Sequence, residues 1–185
     1  DKVYDAPRPE IFFKSLPEKV VHPGDAVGIR ADAPWNVPEP ELTLVVNSRQ
    51  ELVGVSIGTD LSSRDIEGEN LLYLPQAKMY ERACAVGPCI VTGADETAIR
   101  QWTIGVEIIR GGETVFSGDT SINNIKRTFD ELLEYLGRSQ SFPHGAMLLT
   151  GTGVVPGDEF TIAAEDRIRI TVSGIGTLEN PVAIV

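Results

Sequence analysis

Histidine and cysteine are scarce: His22, His144, Cys84 and Cys89 are the only ones in 185 residues. The cysteine spacing fits no zinc or thioredoxin pattern, and no second pair completes a tetrahedral site. Both are expected to be ordinary reduced, partly buried thiols of a cytoplasmic protein. Each histidine abuts a proline (His22-Pro23, Pro143-His144), which predicts loop positions. No apolar run approaches the ~20 residues that a membrane-spanning helix needs. Positive charge is also short, 16 Lys and Arg against 27 Asp and Glu, so the net charge is −11. A nucleic acid or an anionic membrane would require a basic face, so neither is an expected partner. No signal peptide is visible, and the chain opens on Asp1 rather than Met, so it is expected to begin inside a longer protein.

Two motif strings fail on context. Gly54-Val55-Ser56-Ile57-Gly58 spells a nucleophile elbow but lies within an apolar strand pattern, with no turn to expose the serine. Gly151, Gly153 and Gly157 approach a dinucleotide fingerprint, but the last spacing is wrong and no helix start follows.

What is present describes a β-rich chain. Hydrophobic residues make up 42%, enough for one substantial core, and 18 Gly and 12 Pro punctuate short Val-, Ile- and Thr-rich runs. Asp1 to Pro9 reads as a tether, Ile11-Phe12-Phe13 as a short buried strand closed by Lys14, and Ala26 to Arg30 as another strand. Leu42 to Val46 and Leu52 to Gly58 flank a polar turn as in a hairpin. Ser62 to Gly68 suits one helical turn capped by Ser62 or Ser63. Glu69 to Gln76 suits an ordered loop ended by Pro75. Thr103 to Arg110 and Glu113 to Ser117 flank Gly111-Gly112, a two-residue hairpin signal. Thr128-Phe129-Asp130-Glu131 is a capping box opening a helix to about Leu136, with Phe129, Leu132, Leu133 and Leu136 on its core stripe. Asp166 to Val172 alternates, with Ile168, Ile170 and Val172 on one face. No repeat or linker interrupts the chain, so 1–185 reads as one domain.

The chemistry concentrates around Glu39-Pro40-Glu41, at the mouth of the Leu42 to Val46 run. Side chains two apart on a strand share a face, so Glu39 and Glu41 project together. Pro40 lacks an N–H, which suits a strand start or edge. The Leu52 to Gly58 run delivers Asp60 at its far end. Three converging carboxylates cost on the order of 10 kcal/mol if all stay ionised without a partner. A proton, basic neighbours or a hard divalent cation would relieve them, and all-oxygen ligands favour Mg²⁺, Mn²⁺ or Ca²⁺ over zinc. The plain alternative is a set of solvated strand-end acids.

RPEIFFK (Arg8 to Lys14), PEPEL (Pro38 to Leu42), DLSSRDIEGENLLYLPQAK (Asp60 to Lys78) and LLTGTGVVPGD (Leu148 to Asp158) resemble, in order and spacing, the fumarylacetoacetate hydrolase superfamily. The likeness runs on to IGTLENPV (Ile175 to Val182). The EGEN…LYLPQAK wording is more similar to the sugar-acid dehydratases of that superfamily than to its C–C bond hydrolases. Thr59 stands where the family usually has Asn or Asp, and Leu71 where many relatives have Pro.

The resemblance implies a β-rich α+β fold, a mixed β-sheet roll of the family's C-terminal domain type with few helices. A smaller N-terminal domain, present in relatives, is expected to be absent from this chain. Glu39, Glu41 and Asp60 are implied as ligands of Mg²⁺, with Mn²⁺ or Ca²⁺ as substitutes. Lys78 is implied beside the metal, binding the developing enolate oxygen or aiding proton transfer. Thr152 is implied to bind the substrate carboxylate, and Arg64 to orient substrate or pair with the acids. Glu67, Glu69 and Glu10 are candidates for the general base. The implied reaction is Mg²⁺-dependent dehydration of a 2-keto-3-deoxy sugar acid, 2-keto-3-deoxy-D-arabinonate to 2,5-dioxopentanoate (2-oxoglutarate semialdehyde). The alternative is C–C bond hydrolysis of an acylpyruvate or 2,4-diketo acid, although the His and Glu lid pair of those hydrolases is not visible. A catalytically silent β-rich module is a third reading. The expected partner is a small-molecule keto acid, and the expected assembly a homodimer or homotetramer.

Overall fold

Ten strands and four helices make up the computed structural model, which describes residues 5–185. In chain order they are β1 (Val20–Val21), β2 (Val27–Ile29), β3 (Asn36–Val46), β4 (Leu52–Ser63), α1 (Arg64–Glu69), α2 (Leu74–Lys78) and β5 (Cys84–Val91). Then come α3 (Glu96–Ile99), β6 (Thr103–Arg110), β7 (Glu113–Ser121), α4 (Phe129–Gly137), β8 (Ala146–Leu149), β9 (Arg167–Val172) and β10 (Gly176–Ile184). One five-stranded sheet runs β1-β5-β4-β3-β8 and the other β2-β10-β9-β6-β7. β1 lies parallel to β5 and β2 parallel to β10, whereas the hairpin ladders are antiparallel, so both sheets are mixed. This is the β-rich α+β roll expected. No helix among the described residues is long and apolar enough to cross a membrane.

Leu42, Leu44 and Ile57 from the first sheet share one apolar core with Val106, Ile108, Ile170 and Val172 from the second and with Phe129, Leu132, Leu133 and Leu136 of α4. The local signals for these elements are all realised. Thr128 accepts a hydrogen bond from the Glu131 N–H at 3.2 Å, as a capping box requires. Gly111 and Gly112 hold φ of +59° and +89°, the left-handed conformation of a tight β-hairpin turn.

The β3–β4 hairpin positions the acids. Glu39 pairs with Asp60, Glu41 with Gly58 and Thr43 with Ser56. Because cross-strand partners share a face, one face of the hairpin carries Glu39, Glu41, Thr43, Ser56, Asp60 and Ser62. The other face carries Leu42, Leu44, Val55, Ile57 and Leu61, and both faces are buried. The strands are longer than the sequence reading predicts: β3 begins at Asn36, so the triplet lies inside it, and β4 continues through Asp60 to Ser63. Two prolines survive inside β3 for a geometric reason. The carbonyls of Asn36 and Leu42 accept from Ile162 and Thr150, on the side away from β4. Pro38 and Pro40 have the same parity, so their missing N–H groups break no bond to β4. Ser56 is buried and donates to the carbonyls of Gly87 and Cys89, so the elbow string is part of a strand.

Three local expectations change. Ile11 to Phe13 forms no strand: the segment runs unpaired over the polar face of the hairpin, with Phe13 exposed, because Lys14 is drawn into the acid cluster. Glu69 to Gln76 is not a loop. It contains a 3₁₀ turn at Leu71–Tyr73 and then α2, whose first turn accommodates Pro75 because that N–H has no helical partner. The α1 N-cap, Ser63, makes no side-chain capping bond and instead donates to Asn36 Oδ1 at 2.8 Å. Residues 1–4 of the tether lie outside the described residues. The rest of it is docked on α4, where the Tyr135 hydroxyl donates to the Pro7 carbonyl at 2.9 Å.

Gly58 faces Glu41 across the hairpin, and a Cβ there would sit 2.5 Å from Thr43 Oγ1 and 3.0 Å from Leu149 Cγ. Gly58→Ala is therefore expected to destabilise the chain by ~1–3 kcal/mol through overpacking. Thermal unfolding checks this, at about 2–4 °C per kcal/mol for a chain of this size. An unchanged melting temperature would mean that the polar face is loosely packed.

Candidate metal centre

Glu39, Glu41 and Asp60 each offer a carboxylate oxygen, and these atoms lie within 4.8 Å of one another. Their exposures are 9%, 4% and 4%, which removes the reading as solvated strand-end acids. Two lysines from different segments close around them. Lys78, in the last turn of α2, donates to Glu39 Oε2 and Asp60 Oδ2, each at 3.1 Å, and to Ser62 Oγ at 2.5 Å. All three ammonium protons are thereby engaged by side chains of the polar face. Lys14 ion-pairs with Asp60 Oδ1 at 2.5 Å and donates to the carbonyls of Leu61, at 2.8 Å, and Lys78.

α1 adds a second ring of charge. Arg64 donates to Glu67 Oε2 at 2.6 Å and lies 3.9 Å from Glu39 Oε1, with its guanidinium 5.8 Å from the Trp35 ring centre. Glu67 Oε1 lies 3.8 Å from Lys78 Nζ. Glu41 has no lysine. Among the described residues its one hydrogen bond comes from the Gly151 N–H, at 2.5 Å. The acids open onto a cavity of about 1030 Å³, whose wall includes Arg64, Glu67, Lys78, Thr152 and Glu10. Thr152 is half-buried with its hydroxyl donating to the Val154 carbonyl at 3.1 Å, and Glu10 is exposed at the cavity wall. Glu69 faces solvent. Both histidines are exposed on loops that border the cavity, and both cysteines are free thiols, Cys84 buried and Cys89 exposed.

The electrostatics follow from this packing. Burial pushes the Glu41 carboxyl up to about 8, and the neighbouring Asp60 and Glu39 charges push the same way. Burial also raises Glu39, with Lys78 opposing it. For Lys78, burial favours the neutral amine, but Asp60, Glu39 and Glu67 outweigh it and hold the ammonium above its usual range. Lys14 is lowered, because burial there outweighs its attraction to Asp60.

Four acids (Glu39, Glu41, Asp60, Glu67) face three bases (Lys14, Lys78, Arg64). Glu41, the acid without a lysine, is pushed up to about 8, so it holds a proton near neutral pH unless a cation takes its place. Asp60 Oδ1 is buried and meets the Lys14 ammonium as its ion-pair partner. Three buried carboxylates whose oxygens lie within 4.8 Å of one another, one of them with no basic partner, form an all-oxygen donor set that fits a hard divalent cation held by Glu39, Glu41 and Asp60.

The structure thus gathers Glu39, Glu41, Asp60, Lys78, Arg64 and Glu67 into one group and leaves Thr152 and Glu10 on the wall of the adjoining cavity. Lys14 and Gly151 are the members that sequence reasoning misses. Lys14 stands in the RPEIFFK segment, where the apolar triplet beside it suggests only a strand end. Gly151 acts through its backbone, which has no signature in the residue type.

The sequence pattern of the fumarylacetoacetate (FAA) hydrolase C-terminal family matches residues 2–183. The probable 2-keto-3-deoxyxylonate dehydratase of Haloferax volcanii is 48% identical over 183 residues, covering 99% of this chain and 63% of the relative. The 2-dehydro-3-deoxy-D-arabinonate dehydratase of Saccharolobus solfataricus is 44% identical over 182 residues, covering 98% of this chain and 61% of the relative. A solved 2-keto-3-deoxy-D-arabinonate dehydratase, complexed with magnesium and 2,5-dioxopentanoate, superposes with a TM-score of 0.95 at 44% identity over 100% of this chain and 66% of that one. The chain therefore spans a little over three-fifths of the length of these relatives. A match over nearly every residue, on a fold whose central hairpin carries the acid triad, establishes that the chain belongs to the fumarylacetoacetate hydrolase family.

Proposed function

We propose that this chain carries the site of a Mg²⁺-dependent hydro-lyase that dehydrates 2-keto-3-deoxy-D-arabinonate to 2,5-dioxopentanoate. One observation carries the reading. The complete group of Glu39, Glu41, Asp60 and Lys78 is buried at a cavity in a chain that is 48% and 44% identical to two sugar-acid dehydratases. The two relatives' names also agree chemically. A 2-keto-3-deoxy pentonate keeps a single stereocentre, C4, so within the D series the arabinonate and the xylonate are one compound.

Glu39, Glu41 and Asp60 would hold the ion. When bound, Mg²⁺ supplies Lewis acidity at the 2-keto oxygen and so acidifies the C3–H bond. Asp60, Glu39 and Glu67 hold Lys78 as an ammonium, and in that form it is assigned the part of an electrostatic partner. Its charge sits beside the acids, where it opposes the negative charge gathering on the substrate oxygen. Arg64 ties down Glu67, whose Oε1 lies 3.8 Å from the Lys78 ammonium. Glu10 is assigned the C3 proton because it lies on the cavity wall outside the ion-paired group. That proton and the C4 hydroxyl leave as one water, giving a 3,4-unsaturated 2-keto acid that still carries the C5 hydroxyl. Loss of a C5 proton to the 2,5-dienol and reprotonation at C3 and C4 then give the C5 aldehyde. Thr152 and Arg64 are assigned the substrate carboxylate. The exposed apolar side chains Phe13, Leu16 and Met147 at the cavity support assembly as a homodimer or homotetramer.

Incubation with 2-keto-3-deoxy-D-arabinonate and Mg²⁺ is expected to yield the C5 aldehyde, followed by NMR. EDTA should stop the reaction and added Mg²⁺ restore it. Pyruvate release from an acylpyruvate, without aldehyde formation from the sugar acid, would replace this reading by the hydrolase one.

Glu41→Gln is expected to lower turnover on the order of 100-fold or more, since even losing a ligand's outer partner commonly costs 10–100-fold. Without metal, Glu41 is pushed up to about 8 and is largely protonated near neutral pH, so Gln replaces a neutral carboxyl of the same shape. The metal-free variant should therefore melt no lower than the metal-free parent. Full activity of Glu41→Gln under chelator would sink the metal role.

A further inference from the structure

Of the three acids, Glu39 and Asp60 are each held by a lysine, and Glu41 is held by a loop. Its Oε2 accepts from the Gly151 N–H at 2.5 Å, and Gly151 adopts φ of +92°. What aims that N–H is Thr150. β8 ends at Leu149, and Thr150 prolongs its pairing with β3 by one bond, N–H to the Leu42 carbonyl at 3.1 Å. The Thr150 hydroxyl donates to the same carbonyl at 2.9 Å. Both acceptor positions of the Leu42 oxygen are thus taken by one residue. The double attachment fixes the rotation of Thr150 and hence the plane of the 150–151 peptide, whose N–H faces Glu41. Leu42 follows Glu41 in β3, so the anchor and the acid it serves are adjacent residues.

We infer that Thr150 is a positioning residue for the ion site, its hydroxyl pinning the turn that presents the Gly151 N–H to Glu41. The role rests on the reading of the three acids as ion ligands. One oxygen of Glu41 is occupied by the amide, which leaves the other for the cation and fixes the rotamer of the carboxylate before the ion arrives. Thr152 lies two residues on, at the cavity wall, so the turn that orients a ligand also borders the chamber where a substrate would sit. A lysine at Glu41 would neutralise its charge, whereas a neutral amide orients the carboxylate and leaves that charge for the cation.

The test is Mn²⁺ titration of the purified chain, with free Mn²⁺ read by EPR and metal-free stability read by thermal unfolding. Thr150→Val keeps the backbone bond and removes the hydroxyl. It is expected to weaken Mn²⁺ binding by about tenfold, the effect of losing a ligand's outer partner. Thr150→Ser, which restores the hydroxyl, should bind Mn²⁺ like the parent. A lower melting temperature in Thr150→Val with unchanged Mn²⁺ affinity would show a merely structural threonine and overturn the inference. If Thr150→Val does not fold, Gly151→Ala reads the same coupling. Its Cβ meets no atom within 4 Å, but a side chain at φ +92° strains the turn, so weakened Mn²⁺ binding is again expected and parental affinity would overturn the inference. A parent chain that binds no Mn²⁺ would instead refute the ion site itself.

Discussion

Like charges forced together on a buried face are the constraint from which the rest of this structure follows. Glu39 and Asp60 are direct cross-strand partners, and Glu41 is the next side chain on the same face. Carboxylates ~4 Å apart repel by about 4 kcal/mol per pair even at an effective dielectric of ~20. Neither strand can turn them away, because a one-residue slip would drive Leu42, Leu44 and Ile57 out of the core. The compensation must therefore come from elsewhere in the chain. It comes from three separate segments: Lys14 before the first strand, Lys78 at the end of α2, and the Gly151 amide after β8. Segments far apart in sequence are tied to one hairpin by its charge.

The hairpin departs from the usual division of a sheet into a wet face and a dry one. Its apolar face enters the common core, and its polar face is covered as well, by α2 and by the Lys14 segment. A buried polar face is tolerable only when its groups are paired. Here the pairing is almost complete. The exceptions are informative: the Thr43 hydroxyl on the polar face and the Thr59 hydroxyl on the opposite face lack partners among the described residues. A chain selected for stability alone would place apolar residues there, so the retained polarity reads as the cost of a functional site.

Local chemistry was legible wherever one residue type determines the outcome. The Gly111-Gly112 turn, the Thr128 capping box and the alternation of Ile168, Ile170 and Val172 correspond to the observed elements because each depends on near neighbours alone. The convergence of Glu39, Glu41 and Asp60 was legible from period-two spacing together with family resemblance. What escaped depends on partners distant in sequence. Ile11-Phe12-Phe13 has the composition of a strand, but no strand lies beside it and the buried acids capture Lys14. Pro75 suggests the end of a loop, yet it opens the helix that carries Lys78, since a proline is equally at home in a first helical turn. The extension of β3 back to Asn36 past two prolines depends on which edge of the strand is unpaired, and residue order alone does not state that.

The two lysines show how one charge problem yields two different roles. Lys14 spends two of its contacts on main-chain carbonyls, those of Leu61 and Lys78, which move only with the backbone. It joins β4 to the end of α2 and so fixes where α2 places Lys78. The contacts of Lys78 are all to side chains: Glu39, Asp60 and Ser62. Those acids would be drawn toward a cation when one binds, which would loosen their hold on the ammonium. Lys78 can then re-aim its protons at a ligand in the cavity without breaking a backbone bond, whereas Lys14 cannot. Of two buried lysines on the same carboxylate cluster, one is therefore pinned to the backbone and the other is held by side chains alone, and the kind of acceptor each one meets makes the difference.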